Sequence, residues 1–266
     1  MLYAFGWAQL FGAAFIPITD GTILAESRLT WRHRAVRRLV FSRSRAFLGM
    51  GVKSDELYES YGIDGRHIFR SPYSIDPTRY LENRVKRKKY DLVFSGLFIE
   101  RKQPMLFAEI CKRVKRDYPK LKVLLLGDGP DRKQVLEKMD HDGIDYDYPR
   151  FVQQEELPKL YSSARIYLFP TLRDAWGVVS HEALAAGLPV ITCDNAGSAG
   201  ELIRHGETGF VLPLDADVWA QKVLTLLNDK KLYRAMKTKG TLIAKKYTYK
   251  HSANGTIAAI NHALDR

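Results

Sequence analysis

Two cysteines, Cys111 and Cys193, are all that the 266 residues contain. That is too few for a disulfide scaffold or a thiolate metal cluster, and it fits reduced thiols in a cytosolic setting. No His, Cys and carboxylate spacing matches a zinc site. No glycine-rich loop runs into Gly-Lys-Ser or Gly-Lys-Thr, so there is no P-loop, and no Gly-x-Ser-x-Gly elbow occurs. Internal repeats and low-complexity segments are also missing. Charge is absent from Met1 to Thr19. Gly6, Gln9, Gly12 and Pro17 nevertheless interrupt that run, short of the about 20 apolar residues a membrane span needs. No Lys or Arg precedes it, as a signal peptide would require. The pattern predicts a buried strand over Leu2 to Phe5, a helix over Ala8 to Phe15 and a strand over Phe15 to Thr19, with a membrane segment as the alternative. Acid is absent between Ser27 and Ser54, a stretch that holds eight Lys or Arg residues.

What is present is an ordinary globular composition: 45% hydrophobic, 27% charged, with a net charge of +12. That supports one large domain or two modest ones. The positive balance favours polyanionic partners, namely nucleic acid, an anionic membrane surface or phosphorylated small molecules. Nucleic acid drops out because no recognition module or aromatic platform accompanies the charge. Residues 28–53 remain as a candidate for an anionic membrane surface: a helix over Trp31 to Arg45 would carry Trp31, Ala35, Val36, Leu39 and Val40 on one face and Arg32, Arg34, Arg37 and Arg38 largely elsewhere. A solvated helix face is the alternative.

The rest of the first third reads as a buried strand over Ala46 to Met50, a helix capped by Ser54 and a strand over Ile68 to Ser71. A turn-like Ser71 to Pro77 follows, and then a charged run, Glu82 to Lys89. Beyond it, strands alternate with helices in a regular way. Strands are expected at Leu92–Phe94, Val123–Leu126, Ile144–Tyr148, Ile166–Phe169, Val190–Cys193 and Phe210–Leu212. Helices are expected from Pro104, Asp131, Glu155, Val178, Asp215 and Lys230. Short apolar strands separated by helices imply a parallel sheet covered on both faces. Ligands bind at the carboxyl ends of such strands, so the informative loops follow Phe94, Leu126, Phe169 and Cys193.

The first of these loops runs from Ser95 to Lys102. Gly96 permits close backbone approach to a ligand, and Arg101 or Lys102 suits a phosphate. The second, Gly127-Asp-Gly-Pro, is a common turn on its own. The third contains Asp174-Ala-Trp-Gly-Val-Val-Ser-His-Glu182. Free N–H groups at Gly177, Val178 and Val179 would form an anion site at a helix start. Glu182, deeper in the helix, suits vicinal hydroxyls, and Asp174 suits sugar hydroxyls. The plainer alternative is a helix cap and a helix-face charge. The fourth loop, Asp194 to Glu201, is again glycine-rich. His181 reads as structural.

In series these segments match a family. Phe-Ser-Gly-Leu-Phe-Ile-Glu-Arg-Lys is followed by Leu-Leu-Leu-Gly-Asp-Gly-Pro and Glu-Glu-Leu-Pro-Lys-Leu-Tyr. Then come Leu-Phe-Pro-Thr, Asp174-x7-Glu182, Glu-Ala-Leu-Ala-Ala-Gly-Leu-Pro-Val-Ile and Gly-Glu-Thr-Gly-Phe-Val-Leu. From about Tyr90 to Leu264 the chain resembles the nucleotide-binding half of the GT-B retaining glycosyltransferases of family 4. The resemblance implies an α/β fold of GT-B type, with a Rossmann-like carboxy-terminal nucleotide-sugar domain and a truncated Rossmann-like amino-terminal domain. It implies a partial acceptor-side domain over 1–75, a linker over 76–89, the nucleotide-sugar domain over 90–247 and a C-terminal helix over 248–266 packing back toward the amino-terminal part.

The activity implied is transfer of a sugar, with retention, from a UDP-, GDP- or ADP-sugar to a saccharide or lipid-linked acceptor. No metal or other cofactor is implied. The setting would be cytoplasmic, peripheral at the inner membrane face, in polysaccharide or glycolipid synthesis. Gly96, Arg101, Lys102 and Gly127 would hold the donor with the amides of Gly177, Val178 and Val179. Glu182 would hold the ribose, Arg150, Phe151 and Val152 would border the nucleobase, and Asp174 and Lys102 would act at the reacting end. Three departures qualify this. Asp174 stands where the family has a glutamate. Leu97 stands where an arginine commonly follows the loop glycine. The amino-terminal part resembles only the later portion of an acceptor domain, and Gly6 and Trp7 occupy the region of the family's active-site histidine. An inactive nucleotide-sugar-binding protein, or half of a two-chain transferase, is therefore the alternative.

Overall fold

The computed structural model describes residues 2–150 and 152–265. The chain divides into two compact units: Met1–Ser74 with Tyr247–Arg266, and Ile75–Lys246.

The larger unit is a six-stranded, wholly parallel sheet. Its strands are β4 (Tyr90–Ser95), β5 (Lys122–Leu126), β6 (Asp145–Asp147), β7 (Ala164–Phe169), β8 (Val190–Thr192) and β9 (Gly209–Val211), in the order β6-β5-β4-β7-β8-β9. The apolar runs are nearly continuous because both faces are buried. On one face Leu92, Phe94, Val123, Leu125, Ile166, Leu168 and Ile191 meet helices α6 (Pro104–Asp117), α7 (Arg132–His141) and α10 (Ala216–Asn228). The other face is covered by α5 (Pro77–Glu82), α8 (Leu157–Ser163), α9 (Val178–Ala185) and α11 (Lys230–Ala244). The short β6 stands at one edge of the sheet, with Asp145 exposed.

The chain enters this sheet at β4, runs outward through β5 and β6, then returns to β4's other side at β7. The helices that follow β4 and β7, α6 and α9, therefore lie on opposite faces of the sheet, and the carboxyl ends at such a switch point are where doubly wound sheets bind ligands.

In the smaller unit, β1 (Ile18–Thr19), β2 (Phe47–Gly49) and β3 (Ile68–Arg70) form a parallel sheet in that order. Phe5, Val40, Phe41, Phe47 and Tyr58 form one cluster, with α1 (Leu2–Leu10), α3 (Trp31–Phe41) and α4 (Val52–Glu59) supplying most of it. Ala46 and Leu48 pack on Ala259 and Ala263 of α12 (Tyr249–Leu264) on the other side. α12 lies so close to the sheet that a Cβ on Gly255 would fall 1.8 Å from Arg70 O. The four-residue α2 (Ile23–Glu26) carries Glu26, which is buried and paired with Arg37 and Tyr61.

Several local expectations are corrected. Leu2 to Phe5 is helical rather than extended, because Phe5 and Ala8, three positions apart, are the two residues α1 buries. That helix ends at Leu10, and Gly12 takes φ +63°. Gly51, not Ser54, stands at the start of α4; Ser54 lies inside the helix, and its Oγ accepts from Met50 N at 3.2 Å. Residues 76–89 are not a bare linker. Asp76 accepts from Thr78 N and Pro77 opens α5, which packs on α8 and α9. The apolar stripe expected on α3 is buried only toward its end: Val40 is fully buried, whereas Trp31 is 73% exposed.

Candidate functional site

Three loops at the sheet's carboxyl ends are pinned to one another by backbone. After β4, Gly96 N donates to Leu126 O at 3.0 Å and Phe98 N to Asp128 O at 2.9 Å. Gly127, at φ +121°, lies so close to this loop that a Cβ would fall 1.9 Å from Gly96 O. Gly127 is thus required by backbone approach, while Gly96 has room for a side chain. Tyr148 Oη donates to Gly127 O at 3.0 Å and ties in the segment after β6. Arg150 in that segment is exposed and Val152 half-buried. Phe151, expected beside them at a nucleobase, lies outside the described residues.

The loop after β4 ends in a single turn of 3-10 helix, Glu100–Lys102, closed by Gln103 at φ +52° before Pro104 starts α6. A non-glycine residue in this region costs energy and is held by its surroundings. This turn brings Arg101 and Lys102 against the loop after β7. Leu172 N and Thr171 Oγ1 both donate to Arg101 O. Lys102 Nζ forms an ion pair with Asp174 Oδ2, and Arg101 Nη1 lies 3.4 Å from the same oxygen and 2.8 Å from Arg173 O. Lys102 Nζ also sits 5.0 Å above the Phe169 ring, a cation–π arrangement. Two cations thus share one carboxylate, which leaves a net positive charge at the head of α9.

Asp174 is fixed from behind by the loop after β8. Asp174 N donates to Asn195 O, and Gly197 N to Asp174 O at 2.8 Å. Gly197 must be glycine, since a Cβ would fall 1.8 Å from Ala175 O. Asp174 Oδ1 accepts from Trp176 N at 3.2 Å, so Asp174 both caps the turn and faces the cations. Gly177 then starts α9 at φ +87°, with its α-carbon against Phe169. The amides of Val178 and Val179 lie in the first turn, where helix N–H groups and the helix dipole favour an anion.

Glu182, on the second turn of α9, is not a solvated helix-face charge. Tyr80 Oη donates to its Oε1 at 2.6 Å and Tyr161 Oη lies 3.2 Å from its Oε2. Tyr161 Oη is also 2.8 Å from Ser95 Oγ, linking Glu182 to the end of β4. Burial pushes the Glu182 carboxyl above the usual carboxylate range, opposed by the two tyrosines and by the charge of Arg79. Tyr80 and Tyr161 were not singled out from sequence. Tyr161 closes the Glu-Glu-Leu-Pro-Lys-Leu-Tyr segment, and only the fold reveals what its hydroxyl meets. His181, by contrast, turns away: it is fully buried with Nε2 3.0 Å from Ala244 O.

Arg101, Lys102, Asp174 and the start of α9 are therefore gathered in one place, with Glu182 on the same helix and Gly96 and Gly127 lining the adjoining loops. Among the described residues no group of three or more His, Cys, Asp or Glu could hold a metal ion. No helix among them is long and apolar enough to cross a membrane.

Known proteins carry the same architecture. A glycosyltransferase from Rickettsia africae superposes with a TM-score of 0.81 at 15% identity, covering 99% of this chain and 74% of that one. Anabaena Alr3699/HepE, solved in complex with UDP, gives a TM-score of 0.80 at 14% identity over 98% of this chain and 75% of its own. These likenesses establish a fold of GT-B type. In sequence, a D-inositol 3-phosphate glycosyltransferase from Nocardia farcinica is 25% identical over 247 residues, 86% of this chain and 54% of that protein. The sulfoquinovosyl transferase SQD2 of Arabidopsis thaliana is 32% identical over 126 residues, 46% of this chain and 24% of that protein. The chain thus spans about half the length of the first relative and about a quarter of the second. The family described as glycosyl transferases group 1 matches residues 81–242, the sheet and every loop of the site, and the chain belongs to it.

Proposed function

We propose that this chain binds a nucleotide sugar in the crevice between the loops after β4 and β7 and transfers the sugar, with retention, to a saccharide or lipid-linked acceptor in polysaccharide or glycolipid synthesis. The observation that carries the reading is the pairing of Lys102 and Arg101 with Asp174 at the head of α9. A donor's diphosphate would take up the cations and the amides of Val178 and Val179. Asp174, released from part of its charge partnership, would then accept from hydroxyls of the donor sugar. Glu182 would accept from the ribose diol, and Arg150, Phe151 and Val152 would border the base.

Departure of the nucleotide builds negative charge on the leaving phosphate. Lys102 and the helix amides are aimed at that charge before the reaction begins, so little reorganisation is needed as it develops. The sugar becomes oxocarbenium-like, and the acceptor attacks on the face the nucleotide leaves. UDP stands with the structures of related fold: the pneumococcal O-GlcNAc transferase GtfA was solved with UDP and GlcNAc, and Anabaena Alr3699/HepE with UDP. The test is incubation with UDP-, GDP- and ADP-sugars, with nuclear magnetic resonance following anomeric protons. Release of a sugar of unchanged anomeric configuration, free or transferred, is expected. Absence of hydrolysis and transfer across the panel contradicts the reading.

An anionic membrane surface is the partner proposed for residues 28–53. Its support is that Trp31, Arg32 and Arg38 of α3 are all exposed. Part of the basic charge is engaged inside the fold: Arg37 pairs with Glu26, and Arg34 donates to the carbonyls of Glu26 and Ser27.

A further inference from the structure

Glu182 meets any ligand with both carboxylate oxygens already held. An ionised carboxylate offers roughly four lone-pair directions. Tyr80 takes one on Oε1 and Tyr161 one on Oε2, so one direction remains on each oxygen. Two remaining acceptors on one carboxylate match the two hydroxyls of a vicinal diol.

The two tyrosines are not equivalent. Tyr161 has one proton to share between Ser95 Oγ at 2.8 Å and Glu182 Oε2 at 3.2 Å. The Tyr80 bond, at 2.6 Å, has the length of a charge-assisted O–H···O hydrogen bond. Tyr80 is also firmly placed. It lies on α5, which Asp76 caps and Pro77 opens; it is 3% exposed; and its ring is nearly parallel to that of Tyr161, with centroids 6.2 Å apart. A phenylalanine would fill the same space without the hydroxyl.

We propose that Tyr80 is a positioning residue for the donor nucleotide: its hydroxyl aims the Glu182 carboxylate so that the free acceptor directions meet the vicinal hydroxyls of a nucleoside diphosphate. The inference rests on the donor-site reading above and deepens it.

The surroundings of Glu182 make the role measurable. Arg79 and Tyr80 face it from α5, Tyr161 from α8 and Tyr167 from β7. On the far side of α9, α11 meets His181 through Ala244 O. Burial raises the carboxyl's pKa, and donation from Tyr80 is the largest influence holding it down. Without that hydroxyl the pKa climbs further, and at any given acid pH a smaller fraction of Glu182 is ionised to accept from the diol.

The experiment compares wild type, Tyr80→Phe and Tyr161→Phe. Carbon-13 resonance of the Glu182 carboxyl follows its titration. Calorimetry measures affinity for UDP, GDP and ADP from about pH 8 down to about pH 5. Tyr80→Phe is expected to fold as wild type does, to raise the Glu182 midpoint, and to weaken nucleotide binding about tenfold at the acid end, with a smaller loss at the alkaline end. Tyr161→Phe is expected to move the midpoint less. An unmoved midpoint with a binding loss equal at every pH overturns the inference, because a merely structural role would give that result. So does unaltered binding by Tyr80→Phe where wild type binds. A wild-type chain that binds none of the three nucleotides overturns the donor-site reading and this inference with it.

Discussion

Asp174 is one methylene shorter than the glutamate its position resembles, and it still reaches two cations. It is coupled to both halves of the proposed reaction, because the oxygen that pairs with Lys102 competes with a diphosphate for that lysine. Asp174→Ala should therefore leave nucleoside diphosphate affinity within about threefold, since Lys102 is freed as a partner is lost. Turnover should fall about a hundredfold as the sugar loses its acceptor, the size seen when one preorganised polar contact is removed. Titration calorimetry beside steady-state kinetics separates the two; equal losses in both would contradict the division of roles.

Glu182 makes an opposite pair of predictions. Glu182→Ala should weaken nucleotide binding by about 1.5–3 kcal/mol, the worth of hydrogen bonds to a charged group. Glu182→Gln should weaken binding while raising the melting temperature near neutral pH. The sign follows from linkage: the folded-state pKa is raised, so the folded chain holds the proton more tightly than the unfolded one. That contribution to stability is present at low pH and lost as pH rises through the raised pKa. A neutral amide escapes the loss. A melting temperature that drops in Glu182→Gln at neutral pH would count against a burial penalty. At this scale the sequence was only half informative. Asp174 and Glu182 were legible because they share one short segment. Tyr80 was not, lying 102 positions from the carboxylate it binds.

At the scale of elements, the start of α9 depends on glycines placed by the loops around them. Gly177 combines φ +87° with a Phe169 ring carbon 2.4 Å from where a Cβ would lie. Gly177→Ala should destabilise the larger unit by about 2–4 kcal/mol, the sum of a strained backbone and an overpacked contact, read by denaturant unfolding. Gly96→Ala, where the nearest atom would be 3.9 Å away, should cost far less and report instead on ligand approach. Similar losses for both would refute the steric argument. The central strands around this site were legible because Leu92–Phe94, Val123–Leu126 and Ile166–Phe169 are short apolar runs with glycine or proline at the exit. α1 was not legible, since Leu2 to Phe5 is uniformly apolar apart from a tyrosine and period alone does not separate a strand from a helix there. α5 was hidden because the turn-like Ser71 to Pro77 and the charged run from Glu82 leave only a few residues between them. α3 carries the membrane proposal: flotation with anionic liposomes should fall with added salt and with Arg32→Glu/Arg38→Glu, both exposed. Flotation indifferent to salt and lipid charge would remove that partner.

For the whole molecule, strand order decides where chemistry can occur. The sequence indicated a parallel sheet, but only the order β6-β5-β4-β7-β8-β9 shows that β4 and β7 are neighbours. Their loops come from positions 70 or more apart and meet as Arg101, Lys102 and Asp174. Family membership rests on residues 81–242, which hold the loops of the site and Glu182; Tyr80, its hydrogen-bond partner, lies one position before them. The smaller unit repeats the parallel pattern on three strands and leaves large apolar side chains exposed, with Tyr3 at 96% and Trp31 at 73%.

The central claim is that the crevice beside α9 takes a nucleotide sugar. The measurement that tests it most directly is thermal unfolding of wild type and Glu182→Ala with a panel of UDP-, GDP- and ADP-sugars. Ligand at about a hundred times its dissociation constant should stabilise wild type by about 2.7 kcal/mol. One nucleotide series should do so, and Glu182→Ala should lose most of that gain. Equal stabilisation of both proteins, or none by any donor, would contradict the account.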